Sequence, residues 1–133
     1  MNKKVLIVDD EENIVELLKF NMELKGYEVE YAYDGEEALK KAKDIKPALI
    51  LLDLMLPIMD GTKVCSKIRE DEELKHIPVL LITAEAKKEN IITAAQAGAD
   101  GYIVKPFNQV TLQEKLSNIF KRKNLDCFIL KSK

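Results

Sequence analysis

Four apolar stretches of this sequence end in polar side chains that could carry out phosphoryl transfer. The residues at their ends are, in chain order, the acid pair Asp9 and Asp10, the acid Asp53, the hydroxyl Thr83 and the amine Lys105. If the stretches are parallel strands of one sheet, all of these ends lie at the same edge, where open α/β sheets bind their ligands. The sequence therefore predicts a phosphoryl-transfer site at that edge.

The acids of this set are suited to a divalent metal. Carboxylates within a few ångströms of one another repel, and a bound cation relieves that repulsion. Oxygen ligands without a thiolate or imidazole nearby favour Mg²⁺ or Mn²⁺ over zinc. The candidate ligands are Asp9, Asp10, Asp53 and the backbone carbonyl of Met55. Because Asp9 and Asp10 stand together and Asp53 stands alone, Asp53 is also the candidate nucleophile, which would form an acyl phosphate.

Two further side chains complete the predicted site. Catalysis of phosphoryl transfer depends on positioning and on neutralising the charge of the phosphoryl oxygens, which Lys105 would do together with the metal. Thr83 would donate a hydrogen bond to a phosphoryl oxygen, and the small Ala84 after it keeps the approach open. A cis peptide bond between Lys105 and Pro106 is predicted as a way to aim the lysine.

Five strand-like stretches alternate with stretches of helical period. The strands are predicted at residues 5–8, 29–33, 49–52, 79–83 and 102–104. The apolar stripes of the predicted helices contain Ile14, Leu17, Leu18 and Met22, then Ala38, Leu39 and Ala42, then Val64 and Ile68, then Ile91, Ile92 and Ala95, and finally Leu112, Leu116, Ile119 and Phe120. Strands that are apolar almost throughout are typical of a sheet covered by helices on both faces. We predict an α/β fold, a five-stranded doubly wound parallel sheet with five helices and the flavodoxin-like strand order 2-1-3-4-5.

Length and composition limit the alternatives. A chain of 133 residues suits one domain, predicted at residues 1–122, and residues 123–133 form a short extension that is a helix extension, a linker stub or an artificial remnant. The net charge is −2 with both signs interspersed, and no window approaches the roughly 20 apolar residues of a membrane span. We therefore expect a cytoplasmic protein that binds neither nucleic acid nor membrane directly. Cys65, Cys127 and His76 lack metal-site spacing and are predicted to be ordinary thiols and a solvated loop residue.

Several motifs occur together in the order and approximate spacing of a known family. They are the site residues above and residues 56–61, 97–102 and 105–107. The chain resembles, over about residues 3 to 122, the receiver domain of two-component response regulators. The resemblance implies that Asp53 accepts a phosphoryl group from a histidine kinase, that Asp9 and Asp10 hold Mg²⁺, and that Thr83 and Lys105 contact the phosphoryl group.

The resemblance also implies a switch. Thr83 would move toward the phosphoryl group, and Tyr102 would be its aromatic partner, so that the face made by the fourth helix, fifth strand and fifth helix changes shape. That face would bind a protein target, with the protein acting as a monomer or as a phosphorylation-dependent dimer. Met55 stands where the chemotaxis branch of the family carries a polar residue, whereas Glu85 matches that branch. Both side chains are expected to tune hydrolysis of the acyl phosphate.

Alternative functions remain open at this point. Residues 85–98 resemble the chemotaxis branch, whose target is the flagellar motor switch, but a receiver severed from a DNA-binding regulator would look the same up to residue 122. The two halves resemble different branches, so a chimeric origin is also considered. A Mg²⁺-dependent aspartyl phosphohydrolase would place Asp-x-Asp on its first strand, a spacing that Asp9 and Asp10 lack. A degenerate receiver that only docks is disfavoured because every expected site residue is present. We expect no enzyme activity beyond self-directed phosphoryl transfer and autodephosphorylation.

Overall fold

Strands and helices alternate along the chain in the computed structural model, which describes residues 2–84 and 87–123. The strands are β1 (Lys4–Val8), β2 (Glu28–Ala32), β3 (Leu49–Asp53), β4 (Val79–Thr83) and β5 (Gly101–Val104). The helices are α1 (Glu12–Leu24), α2 (Gly35–Ile45), α3 (Gly61–Glu70), α4 (Lys88–Gln96) and α5 (Gln109–Arg122). The strands pair in parallel in the order β2-β1-β3-β4-β5. The predicted fold class and strand order are confirmed.

Alternate residues of the central strands pack on opposite faces of the sheet, as the pleat of a strand requires. On one face, Ile7, Leu51 and Ile82 join a buried cluster with α1 and α5. On the other face, Val8 and Leu52 pack against residues of α2 and α3. Helices on both faces explain why β1, β3 and β4 are apolar almost throughout.

Two predicted helix stripes are partly wrong. In α1 the buried residues are Val15, Leu18 and Met22, and Leu17 is 45% exposed. At 100° per residue, Leu17 lies on the outer side of a helix that buries positions 15, 18 and 22. The surface of α1 therefore carries one apolar side chain, that of Leu17, that the sequence pattern assigned to the core.

Helix α4 departs further from its predicted stripe. Ala94 is its buried residue, whereas Ile92 is 46% exposed and Ala95 is also exposed. Ile91 is half-buried. The stripe is wrong because Ala94, and not Ile92 or Ala95, faces the rest of the fold. This helix is thinly packed.

The edge of the sheet at the amino ends of β4 and β5 is tied by an ion pair between Arg69 and Asp100. Arg69 Nη2 lies 2.8 Å from Asp100 Oδ2, which also accepts a hydrogen bond of 2.8 Å from the Val79 backbone N–H. The same guanidinium donates to the backbone carbonyls of Lys75, Ile77 and Gly98. At the end of α5, Lys123 Nζ lies 3.1 Å from Asp100 Oδ1. This network joins α3, the start of β4, the turn before β5 and the end of α5.

Several minor predictions can be compared with the structure. Cys65 is buried and carries a free thiol, and His76 is exposed, both as predicted. Cys127 and nearly all of the predicted extension lie outside the described residues. None of the described helices combines the length and the apolar composition needed to cross a bilayer.

Candidate functional site

The carboxyl ends of the strands bring the predicted acids together. Asp9 and Asp10 follow β1, and Asp53 is the last residue of β3. Oxygen atoms of Asp9, Asp10, Glu11 and Asp53 all lie within 4.8 Å of one another. Asp9 and Asp53 are buried, at 0% and 3% exposure, whereas Asp10 and Glu11 are exposed. The site is therefore an acidic pocket with a buried floor and an open rim.

Lys105, which follows β5, places its ammonium among these acids. Its Nζ lies 2.9 Å from Asp9 Oδ2, 3.0 Å from Glu11 Oε1 and 3.4 Å from Asp53 Oδ2. The Lys105 side chain is only 11% exposed. One ammonium thus faces three carboxylates, so the described side chains of the pocket leave it strongly negative. The Lys105-Pro106 peptide bond is cis, as predicted.

Asp53 and Asp9 each accept a hydrogen bond from the backbone N–H two residues further along the chain. Asp53 Oδ1 accepts a hydrogen bond of 3.1 Å from the Met55 N–H, and Asp9 Oδ1 accepts one of 2.9 Å from the Glu11 N–H. These bonds fix one oxygen of each carboxylate and turn the other toward Lys105. The Met55 side chain is 63% exposed, at the rim of the pocket.

The pocket fits a divalent cation. Asp9 Oδ2 is fully buried and accepts no well-aligned hydrogen bond from the described residues, although the Lys105 ammonium lies 2.9 Å away as an ion pair. A buried carboxylate oxygen without a hydrogen bond is costly unless a cation compensates it. Exposed Asp10 beside it would contribute from the rim. An all-oxygen donor set of this kind suits Mg²⁺ or Mn²⁺.

The electrostatics of the pocket shift two pKa values. Burial, followed by the charge of Asp9, raises the pKa of Asp53 from 3.8 to about 6. Burial alone would lower the pKa of Lys105, but the close carboxylates of Asp9 and Glu11 and the charge of Asp53 outweigh it and raise that pKa. Without a metal, ionised Asp53 is therefore an unfavourable neighbour of Asp9, and Lys105 remains a cation.

Thr83 and Tyr102 lie on the neighbouring strands. Thr83, at the end of β4, is 3% exposed, and its backbone carbonyl accepts a hydrogen bond of 2.8 Å from the Lys105 N–H. Tyr102 is half-buried against the α2/α3 side of the core, and Lys115 Nζ lies 5.0 Å from the centre of its ring. The positions of both residues are described, and their roles in a switch stay predictions.

The structure describes some of the remaining predicted site residues and not others. Ala84 is exposed after the end of β4, so the approach beside Thr83 is open. Glu85 lies outside the described residues. The position of Met55 is described, but its role as a metal ligand through its carbonyl, and its role in hydrolysis, stay predictions.

The loop after Asp53 is confined by two glycines that the motif alone did not explain. A Cβ on Gly61 would lie 2.3 Å from the Asp53 backbone oxygen, and one on Gly35 would lie 2.2 Å from the Met59 backbone oxygen. Asp60 caps α3 by accepting a hydrogen bond of 3.0 Å from the Lys63 N–H. Asp60 therefore begins α3, and the absence of a side chain at Gly61 lets the first turn of the helix pack against the backbone of Asp53.

Glu11 is the site residue that sequence reasoning missed. It follows the acid pair directly and precedes α1, where an acid is ordinary because it complements the helix dipole. That ordinary explanation conceals its contact with Lys105, which is 94 residues away in the sequence. The available signal is a third consecutive acid at the end of a strand.

Comparisons with known proteins agree with this geometry. The model of the response regulator receiver domain family matches residues 5–117. The chemotaxis protein CheY-3 of Vibrio cholerae is 48% identical over 122 residues, which cover 91% of this chain and 94% of CheY-3. The alkaline phosphatase synthesis transcriptional regulatory protein PhoP of Bacillus subtilis is 45% identical over 125 residues, which cover 94% of this chain and 51% of PhoP. The chain thus spans about half the length of that regulator.

Solved structures show the same likeness. The chemotaxis protein CheY4 of Vibrio cholerae superposes with a TM-score of 0.84 at 36% identity, over 90% of this chain and 99% of CheY4. The receiver domain of a sensor histidine kinase from Pseudomonas aeruginosa, with a magnesium ion coordinated in its active-site cleft, superposes with a TM-score of 0.81 at 27% identity, over 93% of this chain and 99% of that one. With the match to the family model, these likenesses show that the chain belongs to the response regulator receiver domain family.

Proposed function

We propose that this protein is a phosphorylation-activated signalling switch in which Asp53 accepts a phosphoryl group from a histidine kinase. The observation that carries the proposal is the pocket itself, in which buried Asp53 lies within 4.8 Å of three other acids and 3.4 Å from Lys105 Nζ. In the transfer, an Asp53 carboxylate oxygen attacks phosphorus and forms an O–P bond. The N–P bond to the donor imidazole breaks, and the leaving nitrogen takes up a proton.

The side chains around Asp53 have separate parts in this step. Asp9, Asp10 and Asp53, with the Met55 carbonyl, would hold Mg²⁺ or Mn²⁺, which when bound neutralises phosphoryl charge as a Lewis acid. Lys105 would also neutralise phosphoryl charge, and Thr83 would donate a hydrogen bond to a phosphoryl oxygen. The Met55 N–H holds one Asp53 oxygen in place. The protein thus acts on itself and is not proposed to turn over an external substrate.

The proposed output surface is the face of α4, β5 and α5, which binds a protein target. Thin packing of α4 and the half-buried ring of Tyr102 support this choice, since both can change position at low cost. A regulator of the chemotaxis type is the first candidate, because CheY-3 is 48% identical over 122 residues. A receiver portion of a transcriptional regulator is the second candidate, because the chain spans 51% of PhoP at 45% identity.

Intact-mass measurement after incubation with acetyl phosphate and Mg²⁺ tests the proposal. The wild-type chain should gain one phosphoryl group, Asp53→Asn should gain none, and EDTA should abolish the gain. Asp44→Asn is the matched control, since Asp44 is an exposed acid on α2 and its variant should be phosphorylated like the wild type.

Three results would overturn the assignment. A phosphoryl group on Asp53→Asn would place the acceptor elsewhere, and an unmodified wild type would remove the proposed chemistry. Release of phosphate well beyond one equivalent with a small phosphate ester would indicate a phosphohydrolase instead.

A further inference from the structure

The side chain of Glu11 does not cap helix α1, although Glu11 occupies the capping position. Glu11 is the residue that precedes the first turn of α1, a position at which Ser, Thr, Asp or Asn usually accepts a hydrogen bond from the helix. Its backbone is engaged on both sides, because its N–H donates to Asp9 and its carbonyl accepts from Ile14 and Val15. Its side chain, however, makes no capping hydrogen bond. The carboxylate reaches away from the helix instead.

That carboxylate contacts the lysine of the proposed transfer site. Glu11 Oε1 lies 3.0 Å from Lys105 Nζ, closer than Asp53 Oδ2 at 3.4 Å. The ammonium has three donors, and its two shortest carboxylate contacts are to Asp9 and Glu11 rather than to Asp53. Glu11 therefore engages the ammonium more closely than Asp53 does and competes with Asp53 for it.

We propose that Glu11 is a positioning residue that tethers the Lys105 ammonium in the resting state and must release it when Asp53 is phosphorylated. This inference rests on the proposed function. The phosphoryl group adds negative charge at Asp53 and draws the ammonium toward it. Glu11, 61% exposed, competes for the same ammonium from the rim. The strength of this tether sets part of the barrier to phosphorylation.

Three variants separate the tether from a general effect of charge. Glu11→Gln removes the charge and the ion pair. Glu11→Asp keeps the charge but shortens the side chain by one methylene, so the contact with Lys105 is lost. Glu12→Gln removes a charge from the adjacent exposed position, which contributes no atom to the cluster of four acids.

The first readout is the rate of phosphorylation by acetyl phosphate at saturating Mg²⁺. An exposed ion pair is worth little in free energy, so we expect both Glu11 variants to react about two- to fivefold faster than the wild type, and Glu12→Gln to stay close to it. Equal acceleration in Glu12→Gln would overturn the proposal, because the effect would then be repulsion of the anionic donor. A wild-type rate in Glu11→Asp would overturn it as well.

The second readout does not depend on phosphorylation. The side-chain ¹³Cε signal of Lys105, assigned by its loss in Lys105→Arg, should shift in unphosphorylated Glu11→Gln and Glu11→Asp and stay in place in Glu12→Gln. An unmoved signal in Glu11→Gln would show that no tether exists. If the wild type takes up no phosphoryl group, the proposed function fails, and this signal still decides separately whether Glu11 holds the lysine.

Discussion

Replacing Asp53 with asparagine should stabilise the metal-free protein at neutral pH. Burial and the charge of Asp9 raise the pKa of Asp53 from 3.8 to about 6, so folding with an ionised carboxylate at this position costs free energy. One pKa unit corresponds to about 1.4 kcal/mol, which makes this cost on the order of 3 kcal/mol. Asparagine has nearly the same shape without the charge, and the pKa of about 6 already includes the opposing attraction to Lys105. We therefore expect the free energy of unfolding to rise by about 1–3 kcal/mol.

The gain should depend on pH in one direction. Because the pKa of Asp53 is higher in the folded than in the unfolded chain, the folded state binds more protons between pH 3.8 and about 6. The stability of the wild type therefore falls, relative to the variant, as the pH rises through this window. The two proteins should converge near the lower limit, and the full difference should be present above the upper one.

Mg²⁺ should reduce the stability advantage of Asp53→Asn over the wild type. A ligand that binds only the folded state adds about 2.7 kcal/mol at 100 times its dissociation constant. The wild type has all four acids of the pocket and should be stabilised more strongly by Mg²⁺ than the variant, which has lost the buried carboxylate of Asp53. The difference between the two proteins should therefore shrink or reverse in excess Mg²⁺.

Urea denaturation followed by circular dichroism measures these differences, first in EDTA at acidic and neutral pH and then in excess Mg²⁺ at neutral pH. Asp44→Asn is the control for removal of an exposed acid and should stay within about 0.5 kcal/mol of the wild type. The reasoning is refuted if Asp53→Asn is no more stable than the wild type in EDTA at neutral pH, or if its gain is the same at both pH values.

Three other contacts lead to separate predictions. Gly61→Ala should destabilise the fold by about 1–3 kcal/mol in urea denaturation, because its methyl group would lie 2.3 Å from the Asp53 backbone oxygen. Gly101→Ala is the control and should be nearly neutral, because the atom nearest to its methyl group is a side-chain atom at 3.3 Å. Equal costs for the two variants would contradict this prediction. Arg69→Lys should also cost about 1–3 kcal/mol, since one ammonium cannot replace a guanidinium that bonds three carbonyls and a carboxylate, and an unchanged denaturation midpoint would count against it. Met55→Asn should alter the lifetime of the phosphorylated form, followed by intact mass after removal of the donor, because the exposed side chain borders the pocket; an unaltered lifetime would exclude that role.

The sequence was most informative where one pattern carried two pieces of information. Each apolar stretch predicts a strand and also shows where that strand ends. The sequence therefore predicts that Asp9, Asp53, Thr83 and Lys105 lie at one edge of a parallel sheet, and the structure places them there. The family match shows a response regulator receiver domain, and the reaction predicted from these residues stays a prediction. Their individual roles still await the experiments above.

Side chains that act across the fold were harder to predict. Glu11 is an ordinary acid before a helix, and only the fold, in which the Lys105 side chain after β5 reaches the acids after β1, brings the two together. Arg69 and Asp100 are 31 residues apart, so no local pattern pairs them. In α1, both Val15 and Leu17 fit an apolar helical period, and the position of the helix on the sheet decides which of the two is buried.

The thin packing of α4 has a consequence for where the molecule fluctuates. Burying one methyl group contributes on the order of 1 kcal/mol, and of the side chains of α4, which the structure describes in full, only that of Ala94 is buried. The turn that follows this helix is held in place by Arg69, a fastening in which the guanidinium donates hydrogen bonds to the Gly98 carbonyl and the Asp100 carboxylate. Local unfolding should therefore begin at the amino end of α4 and stop at that fastening. For a partner protein that binds α4, a change in the shape of this surface would require little free energy at the amino end of the helix and more at its carboxyl end.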